Sequence, residues 1–246
     1  MKNFKERIGV EIIISLSYFS LLCIWVTLNI FYLNLVGLVC KIISISGSHG
    51  VGKTSLINLI VNKFDPYSEK FKFFKEINSG LFNIGFALNG KAHDFDEVMF
   101  SQEKAFYLGY ETLKYYLNRT NDERVIITDR SCIDTYVYTD YFLKKHPEEL
   151  VKYAELLEDM KIKSKEILSK VQHIFLPPFK DFEALEERMN LSDRDIIWKN
   201  FQECFLNERN DKFIILESNT TNERYHEILS HEKILSIIYF SKLQSA

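Results

Sequence analysis

Glycine and proline are scarce in this chain, at 9 and 4 of 246 residues. That scarcity excludes collagen-like and low-complexity disordered classes, and no internal repeat or biased tract occurs. Cysteine is scarce too. Cys23, Cys40, Cys132 and Cys204 are widely spaced, with no C-x-x-C pair. Neither a disulfide framework nor a cysteine zinc site is expected, and a reducing compartment fits. The six histidines show no metal-ligand spacing. Positive charge is not in excess either: 31 Lys and Arg against 34 Asp and Glu leave a formal net charge of −3. The basic footprint of non-specific nucleic-acid binding is therefore missing. What is present, 46% hydrophobic and 26% charged residues, is ordinary for a globular protein. The length suits one sizeable α/β domain, or a domain with an appendage.

Charge also vanishes locally. From Ile12 to Cys40 there is no Asp, Glu, Lys, Arg or His. Such a run is long enough for a transmembrane helix. Lys2, Lys5 and Arg7 ahead of it would hold the N-terminus in the cytoplasm, so a single span would place everything downstream outside. The run merges into an apolar strand at Lys41 with no polar linker, and no clear signal-peptide cleavage site follows it. Three readings stand side by side: a start codon assigned upstream of the working domain, a membrane anchor, and an extra soluble helix. Residues 1–40 are accordingly set apart from a domain at 41–246. The expected location is cytoplasmic, with anchoring through 12–40 as the alternative.

The strongest positive signal is Gly47-Ser48-His49-Gly50-Val51-Gly52-Lys53-Thr54, which fits the phosphate-loop pattern G-x-x-x-x-G-K-[ST]. The β-branched run Ile42-Ile43-Ser44-Ile45-Ser46 precedes it and the helical pattern from Ser55 follows it, so strand, loop and helix come in the required order. Glycines let successive backbone N–H groups turn toward phosphate oxygens, and the following helix N-terminus adds partial positive charge. Lys53 is expected to reach the β- and γ-phosphates of a nucleoside triphosphate and Thr54 to ligate Mg²⁺, with Ser55 completing the nucleotide-binding set.

Further along, a helix is expected from Gly52 to Phe64 and a strand over Lys70–Glu76, which puts Glu76 at a strand's carboxyl end, where open parallel sheets bind ligands. Asn78–Asp96 reads as irregular. Glu97–Asn118 reads as a helix with Phe100, Ala105, Leu108, Leu113 and Tyr116 as its apolar face, and Gln102 on it could read a nucleobase edge. Val125-Ile126-Ile127-Thr128-Asp129 is a buried parallel strand that delivers a carboxylate to its tip, expected to hold Mg²⁺ beside Thr54. Arg130 follows at once, over the same cleft.

A helix from Cys132 to Lys145 carries Tyr136, Tyr138 and Tyr141, and Pro147 opens a long amphipathic helix to Ser169. The fourth strand is Val171–Leu176. The charged stretch Phe182–Asp195, with Arg188 and Arg194, could close over a transferring phosphate. Lys212–Leu216 is the fifth strand, and the capping box Thr220-Thr221-Asn222-Glu223 starts a last helix running toward Phe240. This alternation predicts an α/β P-loop NTPase fold, an open, mostly parallel five-stranded sheet sandwiched by helices.

Gly47–Thr54, Asp129-Arg130-Ser131, Asp134-Thr135-Tyr136-Val137-Tyr138, and Arg188–Asp195 with Phe201 and Phe205 together resemble the thymidylate kinase and deoxynucleoside kinase group of phosphate-loop kinases. Kinase and ATPase domains resembling nicotinamide riboside kinase are close relatives of that group. The resemblance implies ATP and Mg²⁺ as cofactors and a nucleoside or nucleoside monophosphate as acceptor. It gives Glu76 the role of base on the acceptor, Arg130 that of acceptor contact, and Arg188 and Arg194 those of lid arginines. A homodimer is a further partner expectation. Three departures concern the acceptor: Glu76 is followed by Ile77 rather than proline, His49 stands where thymidylate kinases often carry Asp, and the lid lacks a dense arginine cluster. The competing reading is a stand-alone ATPase or NTP-dependent switch acting on a protein partner. A GTPase is disfavoured on the reading that no Asn-Lys-x-Asp element for guanine follows the phosphate loop.

Overall fold

In a computed structural model of the chain, the described residues are 42–64, 69, 71–74, 94–119, 124–178, 191–206 and 211–243. Residues 1–40, Glu76 and Arg188 lie outside them, as does most of Asn78–Asp96. Five parallel strands form the centre: β1 (Ile42–Ser46), β2 (Phe71–Phe74), β3 (Val125–Asp129), β4 (Gln172–Phe175) and β5 (Phe213–Ile215), in spatial order β2-β3-β1-β4-β5. The order reverses around β1. Chain connections leave β1 toward one edge by way of β2 and β3, and toward the other by β4 and β5. This switch point is where α/β sheets bind ligands, and the phosphate loop hangs from it.

β-branched side chains explain the sheet's centre. Ile43, Ile45, Ile127 and Ile174 share one face and line a contact with Ile60, Tyr225, Ile228 and Ile234. Those four come from helices α1 (Lys53–Phe64), α6 (Thr221–Ser230) and α7 (Glu232–Leu243). Ile42, Ile126, Phe175 and Phe213 point the other way, because successive strand residues alternate sides. They meet α2 (Phe95–Leu117), α3 (Cys132–Lys145), α4 (Leu150–Leu168) and α5 (Leu191–Phe201), which contribute Phe106, Ile133, Met160, Ile197 and Phe201. The sheet is sandwiched as the pattern predicts, and every strand pair is parallel.

Local differences have local causes. The apolar face expected on α2 is rotated: Ala105 and Leu113 are buried, but Phe100 and Leu108 are 53% and 49% exposed, and Phe106 and Tyr110 fill the core instead. α4 starts at Leu150, after a turn over Pro147–Glu149. The last helix is two helices. His231 takes an extended ψ of 116° and its N–H caps Ile228, which ends α6 before α7 begins. α5 closes in a π-turn, Gln202–Leu206, which puts Phe205 into the core. Contrary to the expectation above, the guanine-reading tetrapeptide does occur after the loop, as Asn62-Lys63-Phe64-Asp65, but its first three residues form the last turn of α1, with Asn62 and Lys63 exposed. It is a helix end and not a strand-end loop. Among the described residues no helix is long and apolar enough to cross a membrane.

Candidate active site

The phosphate loop bridges the ends of three strands. Arg130 N–H donates to Ile45 C=O at 3.0 Å and Leu176 N–H to Ser46 C=O at 2.9 Å, so the ladders on both sides of β1 continue to the loop's first residue. Gly47, Gly50 and Gly52 have φ of 149°, 72° and 82°, values that L side chains rarely adopt. A Cβ at Gly47 would sit 2.6 Å from the Leu176 carbonyl oxygen, whereas one at Gly50 would meet nothing within 4 Å. Lys53 opens α1 and is buried. Its Nζ donates to the carbonyls of Gly47 at 2.9 Å and Ser48 at 2.5 Å, which holds the ammonium inside the curve of the loop. Ser55 and Thr54 are exposed on the first turn of α1.

Two expected partners meet. Thr54 Oγ1 donates to Asp129 Oδ2 at 3.1 Å, joining the helix that follows the loop to the tip of β3. One hydroxyl and one carboxylate at the mouth of a phosphate loop are the hard oxygen donors that Mg²⁺ takes alongside phosphate oxygens and water, so these residues fit that ion. Arg130 has a left-handed backbone, φ 68°, and its guanidinium lies 5.4 Å from the centre of the Tyr138 ring. The turn brings the cation back toward the loop instead of continuing along the strand. Arg194 is on α5, only 8% exposed, with Nε 3.3 Å from Asp195 Oδ1. Its charge acts on His49 of the loop. α5 is fixed there by Asp193, which accepts from Tyr141 Oη at 2.6 Å and Lys145 Nζ at 3.0 Å. Arg194 thus belongs to a packed helix. Gln102 is buried on α2.

Three residues to which the sequence reading gave no role at the site shape the loop. Asp134 is wholly buried on the first turn of α3. Its carboxylate accepts from Ser46 Oγ at 2.7 Å, Gly47 N–H at 3.2 Å and Ser131 N–H at 3.0 Å. Burial pushes this carboxyl above the ordinary aspartate range, against the opposing charges of Arg130 and Lys53 and the bonds from Ser46 and Ser131. Arg224 on α6 is 1% exposed and donates to three carbonyls: Val51 of the loop at 2.7 Å, Pro177 after β4 at 2.8 Å and Ser218 after β5 at 2.8 Å. Burial lowers its pKa to about 10, opposed by Glu227. Glu227 in turn accepts from the N–H groups of Glu217 at 2.8 Å and Ser218 at 3.0 Å. Tyr138 is the third, its hydroxyl 3.0 Å from the His49 backbone nitrogen. A sequence signal existed for Asp134, the Ser131-x-x-Asp134 spacing of a capping box. For Arg224 the signal was subtler: a cation in a helix's first turn, where the macrodipole disfavours one.

This arrangement is suited to a nucleotide. It has backbone donors and a buried lysine for phosphates, a hydroxyl–carboxylate pair for a divalent cation, and two further arginines nearby. Among solved structures, NadR in complex with NAD and AMP-PNP superposes with a TM-score of 0.50 at 18% identity, over 82% of this chain and 49% of that one. The chain thus spans about half of NadR's length, and the likeness is one of fold. Thymidylate kinase from Candida albicans matches with a TM-score of 0.47 at 17% identity, over 78% of this chain and 92% of that one. No curated protein sequence matches the chain. The family model described as an AAA domain matches residues 42–224, from the first residue of β1 to the buried arginine of α6. With most of its length so matched, this chain belongs to the AAA domain family and carries a P-loop NTPase fold.

Proposed function

We propose that the chain is an ATP-dependent kinase that transfers a phosphoryl group to a small-molecule acceptor, a nucleoside or nucleoside monophosphate. The supporting observation is the convergence at the tip of β3, where Asp129 meets Thr54 at 3.1 Å and Arg130 turns back beside the phosphate loop. A bare hydrolytic loop needs the first of these; an arginine at the second position suits an anionic acceptor or a transferring phosphoryl group. The loop N–H groups and Lys53 hold the β- and γ-phosphates. Thr54 and Asp129 hold Mg²⁺, whose charge offsets that of the phosphates. Arg130 and Arg194 stabilise negative charge spread over the phosphoryl oxygens in a loose transition state. Glu76 as base, Arg188 as lid cation and Gln102 as base reader complete the proposal by position in the sequence.

The test is a panel of nucleosides and monophosphates offered with ATP and Mg²⁺ to the full chain, with ADP formation followed. Acceptor-dependent ADP is expected, and Lys53→Ala should reduce it by about a thousandfold. No acceptor-dependent turnover across the whole panel overturns the proposal. The AAA domain match favours a second reading, a nucleotide-driven ATPase acting on a protein partner. Hydrolysis that proceeds at full rate without any acceptor supports it.

A further inference from the structure

α2 packs one side against α3 and α4 and turns large apolar side chains outward on the other. Phe100, Leu108 and Tyr115 are 53%, 49% and 53% exposed. Single exposed apolar residues are ordinary, but these three lie on one line. Exposed charged residues interleave with them: Glu97, Lys104 and Glu111 on the helix, and Arg119 just past its C-cap Asn118. Successive members are three or four residues apart, the spacing of a single stripe along a helix.

The stripe is the complement of its own reverse, with Leu108 at the centre. Lys104 stands four residues before Leu108 and Glu111 three after it. Phe100 stands eight before and Tyr115 seven after, and Glu97 and Arg119 stand eleven to either side. Within one position, every aromatic ring is matched by an aromatic ring and every charge by its opposite. In a two-fold interface residue i of one copy meets j of the other while j meets i, so a face can pair with itself only if matched positions attract. Here they do. A shallow crossing, of about 20°, keeps the ends of two such helices within reach of long side chains. Lys104 Nζ lies 4.9 Å from the centre of the Phe100 ring, and the Arg119 guanidinium 5.0 Å from that of Tyr115, so both cations lie along the stripe. Lys104 also lies 3.9 Å from Glu103, an exposed pair that holds it only weakly. The outward line of α4 behaves differently. It runs through Val151, Glu155, Glu158, Ile162 and Lys165, and two copies centred on Glu158 would bring like charges together.

We propose that the outward face of α2 is a self-association surface, on which α2 of a second copy of this chain docks antiparallel. Leu108 meets its own counterpart on the two-fold axis. Lys104 of each copy pairs with Glu111 of the other, and the aromatic rings pack outside them. The proposal stands apart from the kinase reading, because none of these residues belongs to the phosphate loop or its frame. The stripe is narrower than the about twenty to thirty residues a side of a standard interface, so a dissociation constant of about micromolar size is expected.

Sedimentation velocity of the full chain, from about 1 to 100 μM, is the test. A monomer–dimer equilibrium is expected. Leu108→Arg sets two like charges on the axis and should leave only monomer, with the urea midpoint unchanged because the site is exposed. Lys104→Glu and Glu111→Lys should each weaken association about tenfold or more, since each turns two attractive pairs into two repulsive ones. The double variant K104E/E111K restores both pairs with the signs exchanged, so the dimer should return. Mixing the two single variants should also yield a heterodimer, because the glutamates of one face the lysines of the other. A chain that stays monomeric throughout overturns the proposal. So does a dimer that survives Leu108→Arg, the result expected of association through another surface or through residues 12–40. A double variant no better than the single ones overturns it as well, and points to an occupant other than a second copy.

Discussion

The phosphate loop is flanked by two fully buried charges of opposite sign, and they solve the same problem from complementary directions. On one side Asp134 accepts from the N–H of Gly47, the loop's first residue; on the other Arg224 donates to the C=O of Val51, near its last. Both lie in the first turn of a helix, and each bonds three groups in and around the loop. Their helices treat them differently. Asp134 completes a capping box on α3 and agrees with the helix dipole, whereas Arg224 opposes the dipole of α6. A loop built of bare peptide groups needs both kinds of partner, because its donors must face the phosphates while the remaining groups are satisfied from behind.

The largest effect expected from disturbing this symmetry comes at Asp134. Asp134→Ala leaves the N–H groups of Gly47 and Ser131 without their acceptor, and orphaned buried N–H groups are the rarest of unmet polar groups. A loss of about 3–5 kcal/mol is expected in urea unfolding. Arg224→Leu should cost less, about 2–3 kcal/mol, since carbonyls tolerate under-satisfaction better and the variant is relieved of a buried charge. A larger loss at Arg224 would reverse the ranking of the two flanks. Thr54→Ala comes next and separates the loop from its frame. It should weaken Mg²⁺-dependent nucleotide binding by about tenfold with little change in unfolding midpoint, as read by calorimetry at several Mg²⁺ concentrations.

The smallest effect concerns pH. Asp134 titrates above its ordinary value of 3.8 in the folded chain, so the native state holds the extra proton between the unfolded and folded values. Its contribution to stability is therefore fully present below the unfolded value and lost as the pH rises through the folded one. Asp134→Asn should flatten that part of the wild-type stability curve, measured as urea midpoints from acid to neutral pH. An unchanged slope would mean that the charges of Arg130 and Lys53 cancel the effect of burial.

What the sequence made legible was short-range. The β1–loop–α1 order, the Asp129-Arg130 step and the Thr220–Glu223 capping box are patterns within a few residues, and each is found where its spacing puts it. The frame of the site was not legible, because its bonds are long-range: Ser46 to Asp134 spans 88 positions and Val51 to Arg224 spans 173. Periodicity also failed on α2. Phe100 and Leu108 look like core by composition, yet the packing of α2 against α3 and α4 turns Phe106 and Tyr110 inward. The break at His231 escaped notice because neither glycine nor proline marks it.

The glycines of the loop are not equivalent witnesses to its activity. Gly47 is demanded by the neighbouring β4 exit, whose Leu176 carbonyl leaves no room for a methyl group, before any nucleotide is considered. Gly50 is crowded by nothing, and only its φ of 72°, a value that L side chains rarely adopt, asks for glycine there. Were a descendant of this chain to abandon nucleotides and keep the fold, position 47 would stay glycine while position 50 drifted. An inherited phosphate loop can then be told from a working one at its fourth letter rather than its first.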